Sequence, residues 1–145
     1  MVADCVFCGI VAGSVPAFLV ASSPAGVAFL DIRPVFKGHV LIVPRPHIVQ
    51  LIDLPAADLS GYFRFVQLIA AAVPAALGSQ GTFVAENNIV SQSVPHLHTH
   101  VVPRTKGDGL RGFFWPRHKY ASDEEALDHA SRIGDEYRSL ALPEG

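Results

Sequence analysis

Short apolar and β-branched runs alternate with turn residues along most of the chain. Five runs have the length and composition of β-strands, at residues 17–22, 26–32, 39–43, 81–85 and 96–102. A Ser-Pro-Ala-Gly turn separates the first two runs and predicts a hairpin. The third run is almost entirely apolar, as in a strand that is covered on both faces. These patterns predict a meander of about five strands.

Two other segments carry apolar residues at helical spacing. Residues 55–73 are the better candidate, and Pro74 is expected to end or kink this helix. A second helix is expected to open at Ser122, a capping residue followed by three acidic residues at the positive end of the helix dipole. Five strands with two helices predict an α+β fold rather than a doubly wound sheet. The chain length predicts one domain, residues 1–145.

The fifth run contains three histidines at every second position. In a strand, His96, His98 and His100 share one face of the sheet and the intervening apolar residues and threonine share the other. A row of imidazoles on one face can bind a metal, a phosphate or both. The alternative is the solvated polar face of an edge strand.

Cys5 and Cys8 form a C-x-x-C motif with three possible explanations. A redox pair should precede a helix, and the segment up to Pro16 does not have a helical pattern. Half of a zinc site would need about two further ligands, which histidines elsewhere can supply. The third explanation is a pair of small buried residues.

Composition and charge narrow the function classes. The 145 residues are 50% hydrophobic, and 11 basic against 13 acidic residues give a net charge of −2, which argues against nucleic-acid binding through bulk charge. The N-terminus lacks the basic start of a signal peptide, and the longest apolar run, residues 68–77, is too short to cross a bilayer. We therefore expect a soluble cytoplasmic protein with reduced cysteines and no membrane partner.

Several motifs together resemble the histidine triad (HIT) family of nucleotide-binding proteins and hydrolases. The run His-Leu-His-Thr-His-Val-Val is similar to the family signature, and the other pieces follow the family's order and approximate spacing. The resemblance covers about residues 5–105 and leaves a C-terminal loop and helix, residues 106–145, outside it. The further pieces are Cys5–Ile10, Asp31–Pro34, Gly38–Pro44, His47 and Gln92–Val94.

The resemblance implies a catalytic role for residues near the triad. His98 would be the nucleophile that attacks the α-phosphorus of a nucleotide and forms a phosphohistidine intermediate, which water resolves. His100 and His39 would contact the phosphate. Gln92 and Ser93 would bind the phosphate and the leaving group, and the serine would help to protonate the departing group.

The resemblance also implies a nucleotide pocket. Asp31 would accept hydrogen bonds from the ribose hydroxyls, and Asn88 or its neighbour Asn87 would contact the ribose or the phosphate. The loop before Gln92 departs from the family pattern because it has no glycine. The apolar slot for a purine base would be formed by Phe7, Ile10, Phe29 and Ile32.

The same resemblance implies a structural zinc ion of the type carried by bacterial members. Four protein ligands leave no open coordination position, so the metal would hold the N-terminal segment against the catalytic strand. Family members are typically homodimers in which two five-stranded antiparallel sheets pair, and we expect the same here. The zinc ligands would be Cys5, Cys8, His47 and His96.

A hydrolase that releases a nucleoside monophosphate from a phosphoramidate or a dinucleoside polyphosphate is the favoured function. The alternative from another class is a nucleotide-binding partner protein with incidental catalysis. A nucleotidyltransferase of the same superfamily is a weaker alternative, because those enzymes usually carry Gln where His100 stands. The basic and aromatic residues 104–120 form either a solvated loop or a contact for the far side of the substrate. Its basic residues are Arg104, Lys106, Arg111, Arg117 and Lys119.

Overall fold

The computed structural model describes residues 2–110 and 117–141. Contacts between residues divide the chain into two units, which meet between Asp108 and Gly109. The first unit holds the sheet, two α-helices and every predicted site residue. The described residues of the second unit hold one helix. The predicted contact segment of residues 104–120 lies partly outside the described residues, and Arg111 is among those outside.

Five antiparallel strands form one sheet in the order β1-β2-β3-β5-β4. All five residues of β3 are buried, as its apolar sequence predicts for a central strand. The antiparallel α+β architecture is therefore confirmed. The strands are β1 (Leu19–Ser23), β2 (Gly26–Leu30), β3 (Val40–Pro44), β4 (Gly81–Glu86) and β5 (Thr99–Arg104).

A short helix, α1, covers residues Val6–Ala12 and was not predicted from the sequence. It is only seven residues long, and its N-cap is Cys5, whose Sγ accepts the backbone N–H of Cys8 at 3.4 Å. The usual capping residues are Ser, Thr, Asp and Asn, so the sequence lacks the normal start signal. Helix α1 buries Phe7 and Cys8 against the sheet. The expectation that no helix follows the cysteine motif is wrong.

Helix α2 covers the opposite face of the sheet and runs from Ala56 to Leu77. The expected end at Pro74 is wrong, because the helix continues to Leu77. The C-cap is Gly78, which has a φ of +72° and donates its N–H to the Pro74 carbonyl. A proline in the last turn removes only one backbone hydrogen bond, so the helix can end just beyond it. The helix is long and apolar enough to cross a membrane. Five of its residues pack in the core, however, and it is a core helix, burying Tyr62, Phe65, Val66, Ile69 and Val73.

The histidine row enters the sheet later than its sequence predicts. Strand β5 begins at Thr99, so His96 and His98 precede it. The alternation of faces is nevertheless maintained, because Leu97 and Val101 pack in the core beneath α2 whereas His96 and His98 contact the ring of Phe7. The predicted common face of the three histidines is therefore present without a regular strand through all of them.

Helix α3 spans Asp123–Ala141 in the second unit and begins where the sequence predicts. The Ser122 hydroxyl accepts the N–H of Glu125 at 3.2 Å, and the Glu125 carboxylate accepts the N–H of Ala121 at 2.6 Å. The first bond is that of an N-cap serine, and the second adds a side-chain bond to the residue before the cap. The predicted apolar stripe on this helix is exposed.

Candidate active site

A pocket of about 350 Å³ lies on the face of the sheet opposite α2. Helix α1, strand β2, the segment after it and the loop before β5 form its walls. A larger concavity of about 560 Å³ is lined only by exposed residues of α3, so the pocket on the sheet is the stronger candidate. Eight of the predicted site residues line the sheet pocket: Phe7, Ile10, Phe29, Asp31, Ile32, Ser93, His98 and His100.

The sequence analysis missed several apolar residues in the pocket wall. Leu41 follows His39 by two positions, so the alternation of strand β3 could have placed it on the same face. Val94 follows Ser93 directly in the same motif. Val6, Val15 and Ala17 belong to α1 and the segment after it, where the sequence had no helical signal.

His98 has a defined ring orientation. Its Nδ1 lies 2.7 Å from the carbonyl oxygen of His96. A carbonyl oxygen can only accept, so Nδ1 carries a proton and donates it to this bond. In the neutral ring the lone pair is then on Nε2. The ring is buried, with 3% of its surface exposed, and the edge of Phe7 contacts it at a centroid distance of 5.1 Å.

A chain of hydrogen bonds also fixes the protons of His39 and His100. The backbone N–H of Val35 donates to His39 Nδ1 at 3.1 Å, so the proton of neutral His39 is on Nε2. His39 Nε2 lies 2.9 Å from His100 Nδ1 and donates to it. The proton of His100 is therefore on Nε2. Within the described part of the chain this buried atom has no hydrogen-bond partner.

Burial keeps both of these imidazoles neutral. Burial, together with smaller effects of the nearby rings of His98 and His39, lowers the pKa of His100 to about 4. Burial also lowers the pKa of His39, against the opposing effect of the Asp31 carboxylate. The 3.7 Å contact between His39 Nδ1 and Asp31 Oδ2 is therefore a contact with a neutral ring at pH 7.

Asp31 and Ile32 lie at the mouth of the pocket. Asp31 Oδ1 accepts the N–H of Arg33 at 2.8 Å, and the side chain is 21% exposed. Ile32 is 80% exposed and lines the pocket beside Asp31. Asp31, His39 and His100 could also gather around a cation. The two facing imidazole nitrogens, however, already bond to each other.

Gln92 and Asn88 do not line the pocket. Gln92 Nε2 donates to the Val49 carbonyl at 2.6 Å, and its Oε1 accepts the N–H of Ile89 at 3.1 Å. Asn88 Oδ1 accepts the N–H of Leu51 at 2.8 Å. Both amides thus bond to the backbone of the segment after β3, and Gln92 also bonds to the backbone of its own loop. For Asn87 the structure shows an exposed side chain.

Cys5, Cys8, His47 and His96 converge into one cluster, with one ligand atom from each lying within 4.8 Å of the others. Cys8 Sγ lies 3.2 Å from Nδ1 of His47 and 3.6 Å from that of His96, and Cys5 Sγ lies 3.5 Å from the latter atom. Bonds of about 2.3 Å to sulfur and about 2.0 Å to nitrogen around a tetrahedral zinc ion separate these atoms by about 3.5 Å. The cluster has the dimensions of a zinc site.

The orientation of His96 also fits a metal ligand. Its Nε2 donates to the Pro44 carbonyl at 3.0 Å, so Nδ1 is unprotonated and faces the two sulfur atoms. Burial lowers the pKa of His96, which maintains the neutral form that a metal requires. Burial raises the pKa of Cys5, and a divalent cation between the sulfur atoms would reverse this effect. The two cysteines are free thiols.

Comparison with curated proteins identifies relatives with named activities. The adenosine 5′-monophosphoramidase of Schizosaccharomyces pombe is 31% identical over 123 residues, which are 83% of this chain and 90% of that protein. An adenylylsulfatase of Arabidopsis thaliana is 32% identical over 137 residues, which are 90% of this chain and 68% of that protein.

Solved structures share both the fold and part of the sequence. A member of the HIT family from Bacillus subtilis has a TM-score of 0.80 at 32% identity and aligns with 98% of this chain and 99% of its own. A zinc-bound histidine triad family protein from Mycobacterium smegmatis has a TM-score of 0.70 at 34% identity, with 93% and 97% covered. Residues 12–107 match the HIT domain, and the chain therefore belongs to the histidine triad (HIT) family.

Proposed function

We propose that this protein hydrolyses purine nucleotide conjugates at the α-phosphate and releases a nucleoside monophosphate. The observation that carries the proposal is the orientation of His98, whose Nδ1 bonds to the His96 carbonyl at 2.7 Å. This bond leaves the Nε2 lone pair available in a pocket of the size that a small ligand needs. The relative named adenosine 5′-monophosphoramidase supports the same reaction class.

The chemistry would proceed in two displacements. His98 Nε2 attacks the α-phosphorus, a P–N bond forms, and the bond to the leaving group breaks with its electron pair going to that group. The Ser93 hydroxyl, which lines the pocket, would pass a proton to the departing group. Water then attacks the phosphorus, the P–N bond breaks, and the electron pair returns to His98. A proton from this water restores the serine hydroxyl.

Hydrogen bonds around the histidines would stabilise the charges that develop. The ring of His98 becomes cationic when its Nε2 is phosphorylated, and its Nδ1–H bond to the His96 carbonyl favours that charge. His100 Nε2–H is a buried donor without a partner in the described chain, and a phosphoryl oxygen would satisfy it. His39 would contribute by holding the His100 ring in this orientation.

The pocket walls suit a nucleoside. Phe7 and Phe29 are packed with their rings 5.4 Å apart at the apolar end, beside Ile10. An apolar slot of this kind can hold a purine base, and the exposed Ile32 would be covered by it. The Asp31 carboxylate can accept hydrogen bonds from ribose hydroxyls.

Zinc is proposed as a structural ion held by Cys5, Cys8, His47 and His96. The sulfur and nitrogen distances and the free Nδ1 of His96 support it, as does the zinc-bound family member. A four-ligand ion of this type supplies no chemistry beyond cross-linking. These four residues would fasten α1 to the loops that follow β3 and precede β5.

We further propose that the protein is a cytoplasmic homodimer. The leaving group of its substrate would be an amine, a sulfate or a second phosphate. The two free thiols support a reducing compartment. The relatives named for phosphoramidase and adenylylsulfatase activity favour adenosine conjugates of amine or sulfate. In the basic and aromatic segment of residues 104–120, Arg104 already has a partner within the protein. Its guanidinium bonds to Asp108 at 2.6 Å and 3.2 Å.

Turnover of adenosine 5′-phosphoramidate, adenylyl sulfate and a diadenosine polyphosphate tests the proposal. Wild-type protein should release AMP, whereas His98→Ala should not, and a single-turnover quench should trap a nucleotidyl-enzyme. The exposed His129 on α3 gives the matched control His129→Ala, which should retain wild-type turnover. Binding of AMP without turnover of any of these substrates would instead favour a nucleotide-binding partner protein.

A further inference from the structure

The loop before Ser93 has an unusual backbone. Ile89 and Ser91 adopt φ angles of +67° and +60°, in the left-handed region that side chains other than glycine rarely enter. A β-branched residue such as isoleucine is especially unfavourable there. Both side chains are exposed, so packing does not hold this conformation. Other contacts must therefore maintain the loop.

Gln92 supplies two of those contacts with a single side chain. Its Oε1 accepts the N–H of Ile89 at 3.1 Å, within the same loop, and its Nε2 donates to the carbonyl of Val49 at 2.6 Å. The two partners fix which end of the amide is oxygen and which is nitrogen. Asn88 adds a parallel bond from its Oδ1 to the N–H of Leu51 at 2.8 Å. Two amides thus fasten the loop to residues 49–51.

Residues 49–51 are themselves attached to the triad. The neighbouring carbonyl of Ile48 accepts the N–H of Leu97 at 2.6 Å, between His96 and His98. On the other side of the loop, Ser93 directly follows Gln92 and lines the pocket. The bonds of Gln92 therefore connect the residue before Ser93 to the segment that is bonded between His96 and His98.

We propose that Gln92 is a positioning residue that holds a strained loop so that Ser93 reaches the nucleotide, and that its side chain does not bind the substrate. The proposal rests on the proposed function, because Ser93 is assigned its proton transfer there. It differs from the role expected from the family resemblance, in which Gln92 contacts the phosphate. It also predicts that glycine at position 89 can replace part of what Gln92 does.

A double variant separates positioning from substrate contact. Gln92→Ala should lower kcat/KM for the best substrate by about tenfold or more, because a misplaced group near the reacting centre slows the reaction. Adding Ile89→Gly should recover most of this loss, because glycine adopts a positive φ without the hydrogen bonds of the Gln92 side chain. If Gln92 instead binds the phosphate, Ile89→Gly recovers nothing. That result would overturn the proposal.

Asn88→Ala provides an independent variant of the same loop. Because Asn88 and Gln92 fasten one segment, the double variant Asn88→Ala/Gln92→Ala should lose less than the product of the two single losses. Multiplied losses would contradict a shared role. Gln67→Ala, an exposed glutamine on α2, is the matched control and should retain wild-type kcat/KM.

Amide hydrogen exchange and AMP affinity test the role of the Gln92 hydrogen bonds without measuring turnover. Gln92→Ala should speed exchange at Ile89 and weaken AMP binding by at least threefold, and Ile89→Gly should reverse the second effect. If the wild type turns over none of the three substrates, the proposed function fails and these two measurements decide the present proposal. Unchanged exchange at Ile89 in Gln92→Ala would overturn it in either case.

Discussion

His39 Nε2 and His100 Nδ1 lie 2.9 Å apart, and the backbone N–H of Val35 decides which of the two nitrogens carries the proton. One main-chain amide outside the pocket thus sets the hydrogen-bonding role of a histidine inside it. The same principle applies to His98, whose proton is fixed by the His96 carbonyl. Backbone groups therefore assign one histidine of the row as a lone-pair carrier and another as a donor.

The depressed pKa of His100 predicts an acid-labile fold. The ordinary value of 6.5 falls to about 4 on folding, mainly through burial, so between these pH values the unfolded chain binds a proton that the folded chain does not. The contribution of neutral His100 to the free energy of unfolding should therefore be complete above pH 6.5 and should decrease as the pH falls towards 4. Urea unfolding at pH 7 and pH 5 would measure this decrease.

Two variants separate the contribution of His100 from the rest of the chain. His100→Gln should show a smaller loss of stability between pH 7 and pH 5 than the wild type, because the titrating ring is gone. His129→Gln changes an exposed imidazole and should behave as the wild type does. An equal pH dependence in all three proteins would exclude His100 as a cause.

A buried hydrogen-bond network beneath the histidine row predicts a measurable stability loss. The Tyr62 hydroxyl lies 2.9 Å from the Ile42 carbonyl and 2.7 Å from Thr99 Oγ1, and the Thr99 hydroxyl donates to Glu86 at 2.5 Å. Burial raises the pKa of Tyr62, so the hydroxyl stays protonated. Tyr62→Phe should lower the free energy of unfolding by about 1–2 kcal/mol, because a buried acceptor loses its donor.

Chemical denaturation checks this value. The matched control is Tyr137→Phe on α3, where the side chain is 68% exposed and the same change should cost almost nothing. Equal stability of Tyr62→Phe and the wild type would mean that water replaces the lost hydroxyl.

Metal removal should weaken nucleotide binding as well as stability. Phe7 lies between the two cysteines in sequence, and its ring contacts both His96 and His98. Elemental analysis should find about one zinc ion per chain. A strong chelator, or Cys8→Ser, should lower Tm and raise the Kd for AMP, because α1 would no longer be fastened beside the pocket.

The zinc prediction has its own control and its own contrary result. Ser14→Ala alters an exposed residue just after α1 without touching a ligand and should retain metal and affinity. Protein that is purified with no zinc, takes up none and binds AMP normally would contradict a structural metal at this cluster.

Local sequence patterns were sufficient for the strands and for the shared face of the histidines. Alternation along residues 96–102 survives although β5 starts only at Thr99, because burial of Leu97 and Val101 imposes it. Helix α1 could not be predicted, since its stability depends on packing of Phe7 and on a cysteine cap rather than on its own seven residues. The end of α2 lies beyond Pro74 because a proline in the last turn removes only one backbone hydrogen bond.

The directions of polar side chains were the main feature beyond the reach of the sequence. Ser93 and Gln92 are adjacent in one motif, yet Ser93 lines the pocket and Gln92 bonds to Val49 and Ile89. Motif membership says nothing about which of two neighbours turns towards a ligand. A loop with two positive φ angles in residues other than glycine has no sequence signal of its own.

Thr99 is a buried polar residue at the start of β5, on the core side of the chain, whereas the neighbouring His98 and His100 line the pocket on the other side. A slip of β5 by one residue against its neighbours would turn the imidazoles into the hydrophobic core and the aliphatic side chains towards the pocket face. The slip would also break the hydrogen bonds that join Thr99 to Tyr62 and to Glu86. Thr99 therefore disfavours misaligned pairing of β5 during folding. A residue on the core side of the sheet thus helps to keep the histidines on the pocket side.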